Sequence, residues 1–191
     1  SRLAILEMIK SGTVFFSDMY FFPEATISAI DEMGIRAAVS IVEMDMFNSE
    51  QTKEKQKATL NYLQHPNPCP DRLIKAVSCH AIYTVSEDLF KWTAGLVQEH
   101  DLHLHIHACE TFKEVCDSRN KYNASPIVKF AEWNLLGPKT ILAHAIHLDE
   151  EDIKLIKQSG TYLTTNPASN LKLVSNFILD YWLIFGGWGI A

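Results

Sequence analysis

Several features are scarce in this chain, and each scarcity excludes a class of protein. Four cysteines occur in 191 residues (Cys69, Cys79, Cys109 and Cys116), and no two form a C-x-x-C pair. A chain of this length with so few is not a disulfide-dense scaffold, and free thiols in a reducing compartment are expected. Long apolar runs are missing: none reaches the roughly 20 residues needed to cross a bilayer. The apolar stretch from Phe177 to Ala191 is interrupted by Asp180, Gly186, Gly187 and Gly189. No leader pattern opens the chain, since Ser1 to Lys10 already reads as an amphipathic helix. A cytoplasmic protein is the expectation. Positive charge is also in short supply, with 17 Lys and Arg against 23 Asp and Glu and a net charge of -6. That argues against nucleic acid or an anionic membrane as partner, because neutralising phosphates takes clustered cations. Lys53, Lys55 and Lys57 alternate with Glu54 and Gln56 and read as a solvated helix face. No Gly-rich phosphate loop follows any expected strand, which weakens an open nucleotide-binding sheet.

The 47% hydrophobic content can build a sizeable core. Along the chain one pattern recurs, a helix, then Gly, then a short β-branched strand. Helices are expected at Leu3–Ile9, from Pro23 to Met33 with Gly34 as a left-handed cap, and at Ser49–Leu63. A further helix is expected from a Thr84-x-x-Glu87 capping box to Glu99, another from Ser125-Pro126 through Trp133, and another from Asp149 to Gln158. Strands are expected at Thr13–Ser17, Ala37–Val42, Leu73–Ser78, Leu102–Ile106, Thr140–Ala143 and Thr161–Thr165. A last helix is expected at about 179–185 and a strand near Trp188. Strict alternation implies a parallel sheet. A complete eight-stranded (β/α) barrel runs to about 250 residues. The expected fold class is therefore α/β, an incomplete (β/α)8 TIM barrel forming one partial domain over 1–191. Its first strand and the end of its last are expected to be lacking.

In such a barrel the reactive groups stand at the C-terminal strand ends. The polar residues expected there are Asp18, His80, His105, His107, Glu110, His144, His147, Asn166 and Asn170. The segment Leu102-His103-Leu104-His105-Ile106-His107 alternates strictly. Its period of two puts three imidazoles on one face and three apolar side chains on the other. Imidazoles facing a barrel interior must be hydrogen-bonded or metal-bound, since an unsatisfied one is costly there. Glu110 follows the strand end, where a carboxylate can shuttle a proton or can simply favour a helix N-terminus. Of His144 and His147, one is expected to be structural.

These segments resemble the amidohydrolase superfamily, in its cytosine-deaminase-like branch. That branch includes S-adenosylhomocysteine/5′-methylthioadenosine deaminases, guanine deaminases and triazine chlorohydrolases. The resemblance runs through Ser11-Gly12-Thr13 to Asp18-Met19-Tyr20, Cys79-His80-Ala81-Ile82-Tyr83 and His105-Ile106-His107-Ala108-Cys109-Glu110-Thr111. It continues through Ala143-His144-Ala145-Ile146-His147-Leu148 and Asn166-Pro167-Ala168-Ser169-Asn170-Leu171-Lys172-Leu173. It implies a metal-dependent-hydrolase (β/α)8 barrel. It also implies roles: His107 as a metal ligand, Glu110 as the acid/base for a ring nitrogen, His144 as the residue that holds or polarises the attacking water, and His80 as a substrate contact. The implied cofactor is one divalent metal, zinc or alternatively iron, in the complete protein. The implied chemistry is hydrolytic deamination of a purine- or pyrimidine-like heterocycle by metal-activated water. The expected partner is a small-molecule heterocyclic substrate, with homo-oligomer formation open.

The family's first-strand H-x-H pair and last-strand aspartate have no counterpart here, so about three of four ligands are expected to lie outside these residues. Ile41, Val42 and Glu43 stand where relatives acting on S-adenosylhomocysteine carry a carboxylate-binding arginine, which counts against that substrate. Three other readings stay open: an inactive barrel remnant that binds a ligand or partner, a dehalogenating chlorohydrolase relative, and an unrelated nucleotide-binding α/β domain.

Overall fold

The computed structural model describes residues 1–172. The helix expected at 179–185 and the strand expected near Trp188 lie outside them. The chain divides into two compact units, Ser1–Ile106 and 107–191, and the strand β4 (His103–Ala108) runs through the division.

The first unit alternates helix and strand: α1 (Arg2–Lys10), β1 (Phe15–Tyr20), α2 (Pro23–Met33), β2 (Arg36–Glu43), α3 (Ser49–Gln64), β3 (Leu73–Cys79), α4 (Glu87–His100) and then β4. Its strands pair in parallel and in chain order, with Ser17 opposite Ala38, Ile41 opposite Val77 and Ser78 opposite His105. Crossovers through helices produce this order and bury the strands. Accordingly Ala37, Ala38, Val39 and Ser40 of β2 are all buried. The packing between α1, α2 and β2 consists of Ile5, Ala29, Ile30, Ile35, Ala37 and Val39.

Inside the curve the side chains are small or polar. The Ser40 hydroxyl donates to the Asp18 carbonyl, that of Ser78 to the Ile41 carbonyl, and Ser17 Oγ lies 3.2 Å from His105 Nδ1. The last contact joins β1 to β4. Adjacent strands are about 4.8 Å apart, so in a flat sheet these two would stand about 14 Å apart. The four strands must therefore curl steeply, as barrel strands do.

The second unit holds the end of β4, α5 (Phe112–Tyr122), α6 (Pro126–Glu132), β5 (Thr140–His144), α7 (Glu150–Ser159), β6 (Tyr162–Thr164) and α8 (Pro167–Lys172). β5 and β6 pair in parallel, Ile141 opposite Tyr162. Its buried residues include Val115, Ile127, Phe130, Trp133, Leu142 and Ile156. Ser125 caps α6 by accepting from Val128 N and donates to the buried Asp152 of α7, so one hydroxyl ties the two helices. No helix among the described residues is long and apolar enough to cross a membrane.

Three local expectations differ from what is found. The first strand starts at Phe15, because Gly12 (φ 88°) closes α1 and Thr13 spends its amide on Met8 O at 2.9 Å. That is a Schellman closure, and it takes Thr13 out of the ladder. The cap of α4 is Ser86, whose Oγ accepts from Leu89 N, while Thr84 instead bonds Ala81 O and His80 Nδ1. Helix α5 carries no amphipathic stripe of apolar residues. It buries only Glu114, Val115 and Ser118, so periodicity does not reveal it.

Two buried carboxylates in the first unit behave oppositely. Burial pushes Asp45 up, but Ser86, Thr52 and the amide N–H groups of Ser86 and Phe47 donate to it and hold it below its ordinary value. Glu43 is fully buried, and burial outweighs its hydrogen bonds from Thr93, Thr59 and Cys79 and raises it to about 7. Thr93 Oγ1 lies 2.5 Å from Glu43 Oε2 and 2.8 Å from Leu89 O. One hydroxyl proton cannot serve both bonds, so a protonated Glu43 completes the set. Protonation therefore favours the folded state. The stability it contributes is full below the ordinary Glu value of 4.5 and is lost as pH rises through about 7. Glu43→Gln, which mimics the neutral form, should flatten the fall in thermal midpoint between pH 5 and pH 8. It should leave the variant more stable than wild type at pH 8, on the order of 2 kcal/mol. Parallel melting curves across that range would refute this.

Candidate active site

The site is built where β4 and β5 end in the second unit. β4 has the burial pattern of strict alternation: Leu104, Ile106 and Ala108 are buried, and His103, His105 and His107 are half-buried on the other face. His107 therefore lies within the strand, not beyond it. After Ala108 the chain turns sharply at Cys109, a left-handed residue at φ 52°, and then delivers Glu110. β5 ends in two consecutive left-handed residues, His144 (φ 73°) and Ala145 (φ 46°). Such conformations cost non-glycine residues energy and persist only where surrounding bonds enforce them. Those bonds are present: Ala145 N donates to Ala108 O at 2.9 Å, and Ile146 N and His147 N donate to Cys109 O at 3.1 and 3.0 Å.

The two turns bring Glu110, His144 and His107 together. His144 Nε2 is 3.4 Å from Glu110 Oε1, and the ring centroids of His107 and His144 are 5.3 Å apart. His144 is 4% exposed, so its ring is shielded from bulk water. Its Nδ1 lies 2.9 Å from Asn170 Oδ1, and its Nε2 lies 3.3 Å from Asn166 Nδ2. An amide oxygen only accepts, so Nδ1 carries the proton and donates to Asn170. Nε2 then keeps its lone pair, accepts from Asn166 and faces Glu110. The ring of His144 is thus held in place, with Nε2 turned toward Asn166 and Glu110.

The carboxylate that holds this turn is Glu114. It is buried, and its two oxygens accept from Cys109 N at 3.0 Å and Glu110 N at 2.9 Å. Burial raises it to about 7 against those two bonds. Thr111 caps α5 by accepting from Glu114 N. Sequence reasoning did not single out Glu114, although Thr111-x-x-Glu114 is the pattern of a capping box and was the signal available.

His80 lies in the first unit at the end of β3, with Nδ1 2.8 Å from Thr84 Oγ1 and its ring edge-on to Tyr83. Asp18 also lies there. It is half-buried at the end of β1, and burial raises its carboxyl above the ordinary value. His105 bonds Ser17. In the second unit His147 packs edge-on to Phe112, and burial lowers it. Its backbone amide serves the Cys109 turn. Glu43 is held by three side chains and is fully buried, so it presents nothing to a ligand.

Among the described residues no group of three or more His, Cys, Asp and Glu side chains is arranged to hold a metal ion. A catalytic zinc takes three protein ligands and one open position. The described residues therefore do not form a metal site by themselves.

The profile of the amidohydrolase family matches residues 1–179, and the chain belongs to that family. It is 39% identical to the 5′-deoxyadenosine deaminase of Methanosphaera stadtmanae, over 92% of this chain and 41% of that protein. It is 38% identical to 5-methylthioadenosine/S-adenosylhomocysteine deaminase 1 of Archaeoglobus fulgidus, over 95% of this chain and 42% of that protein. A zinc-bound adenosine deaminase structure from Xanthomonas campestris superposes with a TM-score of 0.78 at 29% identity, covering 92% of this chain and 40% of that one. The fold is thus that of an incomplete (β/α)8 amidohydrolase barrel, and the chain spans about two fifths of the length of these relatives.

The tautomer of His144 is open to direct measurement. A long-range 1H–15N NMR spectrum at pH 8 should show Nδ1 protonated and Nε2 unprotonated. Asn170→Ala should shift the pair toward a mixture of tautomers. A ring protonated at Nε2 in the wild type would overturn the assignment.

Proposed function

We propose that the complete protein containing this chain hydrolytically deaminates a purine-like nucleoside, exchanging an exocyclic amino group for oxygen and releasing ammonia. The observation that carries the reading is the approach of Glu110 Oε1 to His144 Nε2, 3.4 Å apart, on two turns whose left-handed residues are enforced by hydrogen bonds. The relatives named as 5′-deoxyadenosine and 5-methylthioadenosine/S-adenosylhomocysteine deaminases support it.

Each residue has a role in this reading. His144, held by Asn170, exchanges its Asn166 contact at Nε2 for a hydrogen bond from the attacking water and orients it. Glu110 takes a proton from that water and delivers it to the ring nitrogen beside the carbon under attack. The carbon becomes tetrahedral, and a second proton transfer lets the amine depart as ammonia. His80 contacts the substrate. His107 is a ligand to one divalent ion in the complete protein, zinc with iron as the alternative. Such an ion lowers the pKa of bound water and supplies Lewis-acid polarisation. The remaining ligands would come from outside the described residues. The small heterocycle is the partner, and an apolar 5′ substituent suits the chain better than a carboxylate-bearing one.

Two measurements test this. Ammonia release from 5′-deoxyadenosine by the complete protein should fall by about 10²- to 10⁴-fold in Glu110→Gln, the range lost with a general acid/base. Elemental analysis should find near-stoichiometric zinc or iron in the complete protein and a large loss of it in His107→Ala. A folded, metal-loaded protein that releases no ammonia from any adenine nucleoside would end the deaminase reading.

A further inference from the structure

We propose that Glu114 is a positioning residue that sets both members of the reacting pair, Glu110 and His144, by clamping the peptide at Cys109. The proposal rests on the reading of Glu110 and His144 given above and adds a residue to it.

The Cys109 backbone is held on both of its polar sides. Its N–H donates to Glu114 Oε1, and the next N–H, of Glu110, donates to Glu114 Oε2. Its carbonyl accepts from Ile146 N and His147 N, just after His144. A single peptide is thus fixed from one side by a buried carboxylate on α5 and from the other by the turn after β5. No other side chain bonds these two amides among the described residues, and the turn they define is left-handed at a non-glycine residue. Without Glu114 the two N–H groups would be buried or half-buried without acceptors, and the turn would relax to satisfy them. Relaxation moves Glu110 directly, because its own amide is one of the two. It moves His144 through the Cys109 carbonyl.

An ordinary helix cap would not do this. In a capping box the acid three residues into the helix reaches back to the N-cap amide, here that of Thr111. Glu114 reaches one and two residues further, to the amides that orient Glu110. A carboxylate suits the task because both its oxygens accept, whereas an amide offers only one acceptor and presents its NH2 group to the second N–H.

The test uses the complete protein with wild type, Glu114→Gln, Glu110→Gln and Ser125→Ala. Ser125→Ala removes a helix cap and the hydroxyl that meets Asp152 in the same unit, and serves as a stability control. With 5′-deoxyadenosine as substrate, Glu114→Gln should lower kcat by about ten- to a hundred-fold, as sub-ångström to ångström misplacement does, with KM changed less than about two-fold. Ser125→Ala should lower the melting temperature yet keep kcat. Hydrogen exchange, read independently of activity, should quicken at the amides of residues 109–110 and also at 146–147 in Glu114→Gln, and not in Ser125→Ala. Unchanged exchange at 146–147 would overturn the clamp whether or not the protein is active. So would a kcat loss no larger than the control's. If Glu110→Gln stays fully active while exchange quickens as expected, the acid/base role of Glu110 fails and the clamp stands as a property of the turn.

Discussion

Everything at the site descends from the two-residue period of β4. Leu104, Ile106 and Ala108 bury one face of the strand, and that burial leaves His103, His105 and His107 no choice but the other. A slip of one residue would bury three imidazoles and expose three apolar side chains, so the register is strongly determined. Within the first unit the parallel ladder places the ends of neighbouring strands on a common edge. The curl reported by the contact between Ser17 and His105 points the inner side chains of the first unit toward one another. Packing thus decides where the histidines face before any chemistry is asked of them.

The buried carboxylates show how the same side chain is put to different uses. Asp45 is surrounded by donors and stays ionised. Glu43 has fewer donors than its burial requires, and its geometry with Thr93 and Leu89 is completed by its own proton. Glu114 is raised to about 7 like Glu43, although two backbone amides meet its oxygens. Burial prevails over the donors at Glu43 and Glu114, and only at Asp45 do the donors prevail.

Membership of the amidohydrolase family follows from the whole length of the match. The detailed chemistry rests on a few contacts. The ring of His144 is oriented because Asn170 and Asn166 differ in what they offer its two nitrogens. Asn166 follows β6 and Asn170 lies in α8. The resemblance in sequence pointed to this loop without assigning it a task, and the geometry assigns one.

Much of the molecule was legible in the residues alone. Alternation of helix and strand, the glycine and proline punctuation and the H-x-H-x-H pattern specify local structure, because they act through neighbours close along the chain. Gly34, Gly160 and the Ser125-Pro126 start behave as expected for that reason. The identity of His107, Glu110 and His144 as strand-end residues was also legible. What sequence could not supply is everything that depends on distant partners. Helix α5 has no apolar stripe because its buried face includes an acid that meets the turn before it and a serine that donates to Ala124 O after it. The shift of β1 to Phe15, the use of Thr84 by His80, the left-handed turns at Cys109 and His144, and the reach of Glu114 to two amides were all decided by tertiary structure. Hydrogen-bond partners far apart in sequence, or out of step with any helical or strand period, leave no periodic trace in the chain that makes them.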